Sequence, residues 1–475
     1  MRKLFLSLIC LSLSISVFAQ SRRVNPNNPP PNSATISPMD ELTAKQMFDE
    51  ANVYAKNKFA EFEKQKIPFS DSLFKRTVLE QKQLAAKYAA SVSTRSNLAG
   101  EDFYYLGMLN WLAENTENAA ESFQTFLATE KTVADKAQTA RSIIVVVAAR
   151  ERNFAEAEKL LKDYLTNNPI RMSERAKMES ELAENYRAEK DLALAAKHAE
   201  EAFRATKAIF KDNTSRARGL SELLDAGVKV FEIYSDDGKQ TEADNALEDL
   251  RKTAAFVEAS DVYYYAVDKQ IKYQIETKRK PLALQTLNTA LTQTSKDFTA
   301  KLLQEDVIRR LKKREKQYKL LGETAPELTD IDKWFGGNAQ TLADMKGKVI
   351  LLDFWATWCG PCLDAFPALT EWHQTFKNDG LEILGVTRYY GQAEGFTVDN
   401  AAEFEFLQRF KKNQRLPYDF VVAKGQANQI MYQATSLPTT VLIDRKGIIR
   451  YLETGTSRSR EDEVREMIVK LLAEK

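Results

Sequence analysis

Asp353-Phe354-Trp355-Ala356-Thr357-Trp358-Cys359-Gly360-Pro361-Cys362 sets two cysteines three residues apart, directly after the apolar run Val349-Ile350-Leu351-Leu352. That run reads as a buried strand. Pro361 suits the first turn of a helix, where its missing N–H costs nothing. Cys359 therefore falls where a strand ends and a helix begins, and free backbone N–H groups and the helix dipole can stabilise its thiolate. Cys362, one turn further in, is expected to be more buried and to act second. As a structural bridge the pair is a poor staple. Closing so short a loop is worth about 2 kcal/mol, against nearly 5 for a 100-residue loop. Zinc would need two more ligands, and the only histidines are His198 and His373. A thiol–disulfide switch is the stronger reading.

Outward from the pair, strands and helices alternate from residue 322 onward. A helix is expected from Pro361 to Lys377, a strand from Leu381 to Thr387, and an inserted helix from Asn400 to Lys412. Phe420-Val421-Val422 reads as a short strand and Gln426 to Gln433 as a short helix. Thr439–Asp444 and Ile448–Glu453 form a hairpin about Lys446-Gly447, and a last helix starts at Arg460. The order predicts a mixed sheet flanked by helices.

The preceding stretch has another chemistry. Between residues 39 and 320 only Pro68, Pro169 and Pro281 interrupt a chain rich in Ala, Leu, Glu and Lys, the composition of packed helices. Five glycines precede residue 322 and the other twelve lie from 322 onward, which places a domain boundary near Leu321–Gly322. Ala119, Phe123 and Phe126 follow Leu106-Gly107 at the spacings of a tetratricopeptide hairpin. Ala157, Leu161 and Tyr164, then Ala195, Ala199 and Ala202, repeat the pattern at 38-residue steps. Looser echoes fall at Ala243, Leu247, Leu250 and at Ala283, Leu287, Ala290. Small residues let two helices cross closely. The region reads as tetratricopeptide-like, with a generic helical bundle as the alternative. The basic run Arg309 to Arg314 reads as a solvated connecting helix, since Glu305, Asp306 and Glu315 lie close by.

The ten-residue block resembles the active-site segment of thioredoxins, and its longer context is similar to the TlpA/ResA-like exported thiol–disulfide oxidoreductases. Ala325-Pro326, Lys346-Gly347-Lys348, Ser436-Leu437-Pro438-Thr439-Thr440 and Ile443-Asp444-Arg445-Lys446-Gly447 carry that context. The resemblance covers 322–475 and implies a thioredoxin fold. It implies that Cys359 attacks a partner disulfide and that Cys362 resolves the mixed disulfide. Pro438 matches a cis-proline beside the pair, which with Leu437 and Trp358 contacts the substrate. Asp353 matches a buried acid that assists proton transfer at the second cysteine, and burial should raise its pKa. Trp355, Gly360 and Pro361 support the site. One position departs: a glutamate common three residues after the second cysteine is Ala365 here, and Asp364 points about 100° away around a helix. Asp353 thereby becomes the stronger proton partner. His373, eleven residues past Cys362, is too far along the helix to activate the thiol, and Tyr389-Tyr390 read as edge or surface aromatics.

At the N-terminus, Arg2-Lys3, an apolar stretch from Leu4 to Val17, and Val17-Phe18-Ala19 make a secretory signal over 1–19. A Pro/Asn-rich linker over 20–38 would follow. Its removal takes Lys+Arg from 68 to 66 against 67 Asp+Glu, a net charge of −1, which gives no electrostatic footprint for nucleic acid. It also leaves Cys359 and Cys362 as the only cysteines. The expectation is a multi-domain exported protein: an all-α tetratricopeptide-like region over 39–321, then an α/β thioredoxin-like domain over 322–475. It would reduce protein disulfides in the periplasm or cell envelope of a Gram-negative-type bacterium. It would use no cofactor or metal beyond the Cys359–Cys362 pair. A membrane thiol-electron donor is implied by the family, and the helical repeats would recruit a protein partner. Rival readings are a disulfide oxidant or isomerase, a peroxiredoxin-like antioxidant, and a binding scaffold with a minor redox role.

Overall fold

The computed structural model describes residues 42–129, 132–210 and 219–474. The signal expected over 1–19 and the linker over 20–38 lie outside them. The chain separates into two compact units, one ending at Lys136 and one beginning at Ala137. The expected boundary at Leu321–Gly322 falls inside the second.

The first unit holds α1 (Ala44–Lys64), α2 (Asp71–Ser93), α3 (Glu101–Leu112) and α4 (Thr116–Leu127). Ala119, Phe123 and Phe126 form the buried face of α4. Gly107 of α3 lies so close that a Cβ there would come within 2.7 Å of the Phe123 ring. Only a residue without a side chain permits that crossing.

The second unit opens with α5 (Ala134–Arg150), divided by the unit boundary, then α6 (Phe154–Thr166), α7 (Met172–Ala188) and α8 (Leu192–Ile209). It continues through α9 (Leu220–Asp236), α10 (Gln240–Phe256), α11 (Ser260–Glu276), α12 (Lys280–Asp297) and α13 (Lys301–Leu320). The repeat positions Ala157, Leu161, Ala195, Ala199, Ala243 and Leu247 are all buried on their helices.

After α13 the chain forms a six-stranded sheet in the order β1-β6-β3-β2-β7-β8. The strands are β1 (Ile331–Phe335), β2 (Val349–Phe354), β3 (Leu381–Arg388), β6 (Asp419–Ala423), β7 (Thr439–Ile443) and β8 (Ile449–Thr454). The three at the centre, β2, β3 and β6, run parallel, and β1, β7 and β8 are antiparallel to their neighbours. Helices α14 (Gly360–Phe376), α15 (Asn400–Gln414), α16 (Ala427–Met431) and α17 (Arg458–Ala473) flank it. This is the mixed, helix-flanked sheet of a thioredoxin-like α/β domain after a mostly helical region. Every residue of β2 is buried, as its unbroken apolar run requires of a strand covered on both faces. Two elements are not apparent in the sequence: β1, of which only Phe335 is buried, and the small hairpin of β4 (Gln392–Ala393) and β5 (Phe396–Thr397).

Two features fix α11 and α13 against this sheet. The segment after α13 pairs with the outer edge of β8: Gly322 N donates to Ile449 O at 2.8 Å, Ile449 N to Glu323 O at 2.9 Å, and Ala325 N to Gly447 O at 2.8 Å. Beside it lies a buried charge cluster. Arg314 of α13 forks onto both carboxylate oxygens of Glu453 in β8 at 2.8 and 2.6 Å. Lys272 of α11 also pairs with Glu453, and Arg460 of α17 approaches it at 3.1 Å. Asp268 takes Lys272 at 2.6 Å and the Tyr318 hydroxyl at 2.5 Å. The basic run ending at Arg314 is therefore not wholly solvated. Arg314 turns inward because its partner, Glu453, arrives from 139 residues away in the chain.

Candidate active site

Strand β2 carries the loop to α14, and the residues between them bear the chemistry. Cys359 is the N-cap of α14, and Pro361 stands in its first turn. Cys359 and Cys362 are joined by a disulfide with an S–S distance of 2.04 Å. Cys359 is 6% exposed and Cys362 fully buried, so a partner reaches the first sulfur and not the second. Backbone N–H groups of the first turn point at Cys359: those of Cys362 and Leu363 both donate to its carbonyl, at 3.0 and 3.2 Å. Its side chain makes no cap hydrogen bond, which leaves the sulfur free for exchange.

Asp353 stands between Gly385 of β3 and Thr440 of β7 in register. It is 1% exposed, and its Oδ2 has no hydrogen-bond partner among the described residues. Burial pushes its carboxyl up from 3.8 to about 7. A carboxyl poised there exchanges a proton near neutral pH. The same burial has a consequence for stability. Between pH 3.8 and 7 the folded chain keeps a proton that the unfolded chain has lost, so the cost of folding grows as pH rises and is complete above 7. The difference, 7 − 3.8, corresponds to about 4 kcal/mol. Asp353→Asn is expected to stabilise the protein by up to about 4 kcal/mol at pH 8 and by almost nothing at pH 3. Urea denaturation at the two pH values measures this, and equal effects at both would contradict it.

The other expected residues lie around the pair. Trp355, Cys359, Cys362 and Phe366 share one buried cluster, and Leu437 packs against it. Trp355 stacks on Phe410 and meets Phe366 and Phe420 edge to face. Gly385 makes room for it, since a Cβ there would sit 2.8 Å from Trp355 Nε1. The Leu437–Pro438 bond is cis. Thr439, the next residue, pairs with Phe354, which brings Pro438 alongside the loop that carries Cys359. Trp358 is 56% exposed at the rim. Asp364 points to solvent from α14 and does not replace the glutamate absent at Ala365.

Sequence reasoning passed over the support behind Trp358. Tyr389 is buried, with its hydroxyl donating to Asp332 at 2.9 Å, and is not a surface aromatic. Tyr390 meets Trp358 edge to face at 5.3 Å. The Arg388 guanidinium lies 4.0 Å from the Tyr390 ring centre, and Gln429 donates to the Tyr390 hydroxyl at 2.9 Å. Buried Glu403 of α15 accepts from the backbone N–H groups of Tyr390, at 3.0 Å, and Gly391, at 2.8 Å. The insertion thus holds an aromatic ledge beside the disulfide.

The last third of the chain is similar to known proteins. The Redoxin family model matches residues 320–468. The thiol-disulfide oxidoreductase ResA of Geobacillus kaustophilus (strain HTA426) is 32% identical over 145 residues, covering 30% of this chain and 74% of that protein. ResA of Bacillus subtilis (strain 168) is 31% identical over 136 residues, 28% of this chain and 68% of that protein. A solution structure of a thiol:disulfide interchange protein from Bacteroides sp. is 24% identical, covers 31% of this chain and 90% of that one, and has a TM-score of 0.26.

Proposed function

Because the chain belongs, through its last third, to the ResA-type thiol–disulfide oxidoreductases, we propose that it reduces disulfides of exported proteins. The observation that carries this is the Cys359–Cys362 disulfide at the start of α14, with Asp353 buried and its Oδ2 unpartnered on β2, the strand that leads into the pair. Cys359 attacks a partner disulfide, and the mixed disulfide is resolved by Cys362, whose proton passes to Asp353. Leu437 and cis-Pro438 align the partner chain, and Trp358 covers it. Gly360-Pro361 between the cysteines, shared with thioredoxins, favours the reducing direction. Electrons come from a membrane thiol donor, and export follows from the signal read over 1–19.

The helical region is the recruiting surface, arranged as tetratricopeptide-like hairpins. A groove along α8, α9 and α10, lined by Phe203, Lys207, Tyr234 and Asp249, supports a peptide-binding role.

Cys362→Ser tests the function. It is expected to hold a covalent mixed disulfide through Cys359, recovered from the cell envelope on non-reducing gels and released by dithiothreitol. No covalent partner at native expression would refute disulfide exchange as the activity. A reduction potential near thioredoxin's, about −270 mV, is expected of the wild-type pair, and one near −120 mV would make it an oxidant instead.

A further inference from the structure

Three buried side-chain polar atoms in the sheet domain have no hydrogen-bond partner among the described residues: Asp353 Oδ2, Tyr418 Oη and His373 Nδ1. Buried polar groups are nearly always satisfied, so three orphans in one domain call for an explanation. They are not scattered. Tyr418 belongs to the same buried cluster as Trp355, Cys359 and Cys362. His373 lies on α14, three turns beyond the pair, and its ring centre is 6.2 Å from that of Tyr418. On the sheet the space between Asp353 and β6 is spanned by Gly385, which has no side chain: the row reads Asp353, Gly385, Phe420. Trp355 fills the room over Gly385, and Tyr418, two residues before Phe420 and so on the same face of the sheet, packs in the same cluster.

We infer that Tyr418 and His373 are the route by which the Asp353 carboxyl exchanges its proton with solvent. The inference rests on the proposed reductase cycle but concerns only its proton. In the resolving step the Cys362 thiol gives its proton to the Asp353 carboxylate while its sulfur attacks Sγ of Cys359. The Cys359–partner S–S bond breaks, the partner sulfur leaves as a thiolate and takes a proton from water, and two electrons have passed from the enzyme pair to the partner disulfide. Asp353 then holds the proton while Cys362, fully buried, is closed in the disulfide. While Cys362 is held in the disulfide and has no thiolate to take the proton back, the carboxyl exchanges it with solvent. A hydroxyl hands on a proton by accepting one and donating another, and a neutral imidazole does the same across its two nitrogens. Internal water bridges the gaps, as it does between buried polar groups generally.

The surroundings suit this traffic. Burial raises the Tyr418 phenol, and Asp353 raises it further, so the hydroxyl stays neutral and available as a relay. Burial and then Lys377 lower His373, while Glu382 and Asp419 raise it and Lys411 lowers it. His373 therefore rests neutral at pH 7, with these charged groups around it at the outer end of the route. Lys411 is held elsewhere, donating to the carbonyls of Phe335 and Tyr418 at 2.9 and 2.8 Å, and does not compete for Tyr418 Oη.

The test follows the proton and not the turnover. In the full-length oxidised protein, the infrared C=O band of protonated Asp353 is identified by its loss in Asp353→Asn. Its hydrogen–deuterium exchange is then timed after mixing with D2O. Tyr418→Phe, which removes one unpartnered oxygen and keeps the packing, is expected to slow this exchange at least tenfold. His373→Gln should slow it severalfold, with the titration midpoint of the band unchanged in both variants. A purely structural role would lower the melting temperature and leave the exchange rate alone. Exchange within twofold of wild type in both variants would overturn the route, whether or not the wild-type chain reduces disulfides.

Discussion

Cys359→Ser lowers thiol–disulfide exchange by roughly a thousandfold or more. The first step needs a sulfur that can attack a disulfide sulfur, and a serine hydroxyl is neither ionised at neutral pH nor a nucleophile for sulfur. Cys362 cannot take over, because it is fully buried below the helix start. The fold should survive the change. Losing so short a loop closure costs about 2 kcal/mol. Serine is also a preferred N-cap, and Cys359 occupies the N-cap of α14 without a cap hydrogen bond of its own. Reduction of a small aromatic disulfide, followed by thiolate absorbance, measures the loss. Residual exchange above a tenth of wild type, in protein that melts normally, would contradict the assignment of Cys359 as nucleophile.

The second large effect is on stability. Glu453→Gln removes the charge that Arg314, Lys272 and Arg460 share, leaving Lys272 and Arg314 with Asp268 alone and Arg460 with Glu463, in a largely buried setting. Breaking a buried pair from one side typically costs about 3–5 kcal/mol, far more than the pair contributes over an apolar replacement. The double change Glu453→Leu with Arg314→Met should therefore recover much of the loss. Acid should act like the substitution. Burial alone would raise Glu453 and Asp268, but the cations outweigh it: Lys272 and Arg314 hold Glu453 below its usual 4.5 and Asp268 down at about 2. Carboxyls depressed on folding contribute stability above their unfolded values, and that contribution is lost as pH falls through the folded ones. The resistance of wild type to denaturant should fall from about pH 4.5 downward, with Glu453→Gln showing less of that dependence. A loss under about 1 kcal/mol for Glu453→Gln at pH 7 would mean the cluster is not what holds the contact.

Local chemistry made much of the site legible. The cysteine pair, Pro361 and the apolar run of β2 are contiguous, so strand, turn and helix start can be read together. Asp353 and Pro438 were reached only through the resemblance, since nothing in their immediate neighbours demands them. The ledge of Arg388, Tyr390 and Glu403 was invisible because Glu403 acts on backbone N–H groups that only the folded insertion presents. The strand β1 escaped notice because an edge strand with polar Asp332 and Lys333 lacks the apolar alternation that marks a strand. Arg314 was misread for a simpler reason. The acidic residues near it in sequence, Glu305, Asp306 and Glu315, suggest a solvated helix, whereas the partner that buries it comes from another part of the chain.

The backbone pairing of residues 322–325 with β8 has an implication for how this redox domain is inherited or transplanted. The stretch that joins the helices to the sheet is also its outermost hydrogen-bonded rail. A gene fusion cut at Pro326 would deliver a domain with a bare strand edge, open to sticking to the next copy. Recombination that keeps this four-residue rail with the sheet, and trades the charge cluster as a unit, is the cut that leaves both pieces soluble.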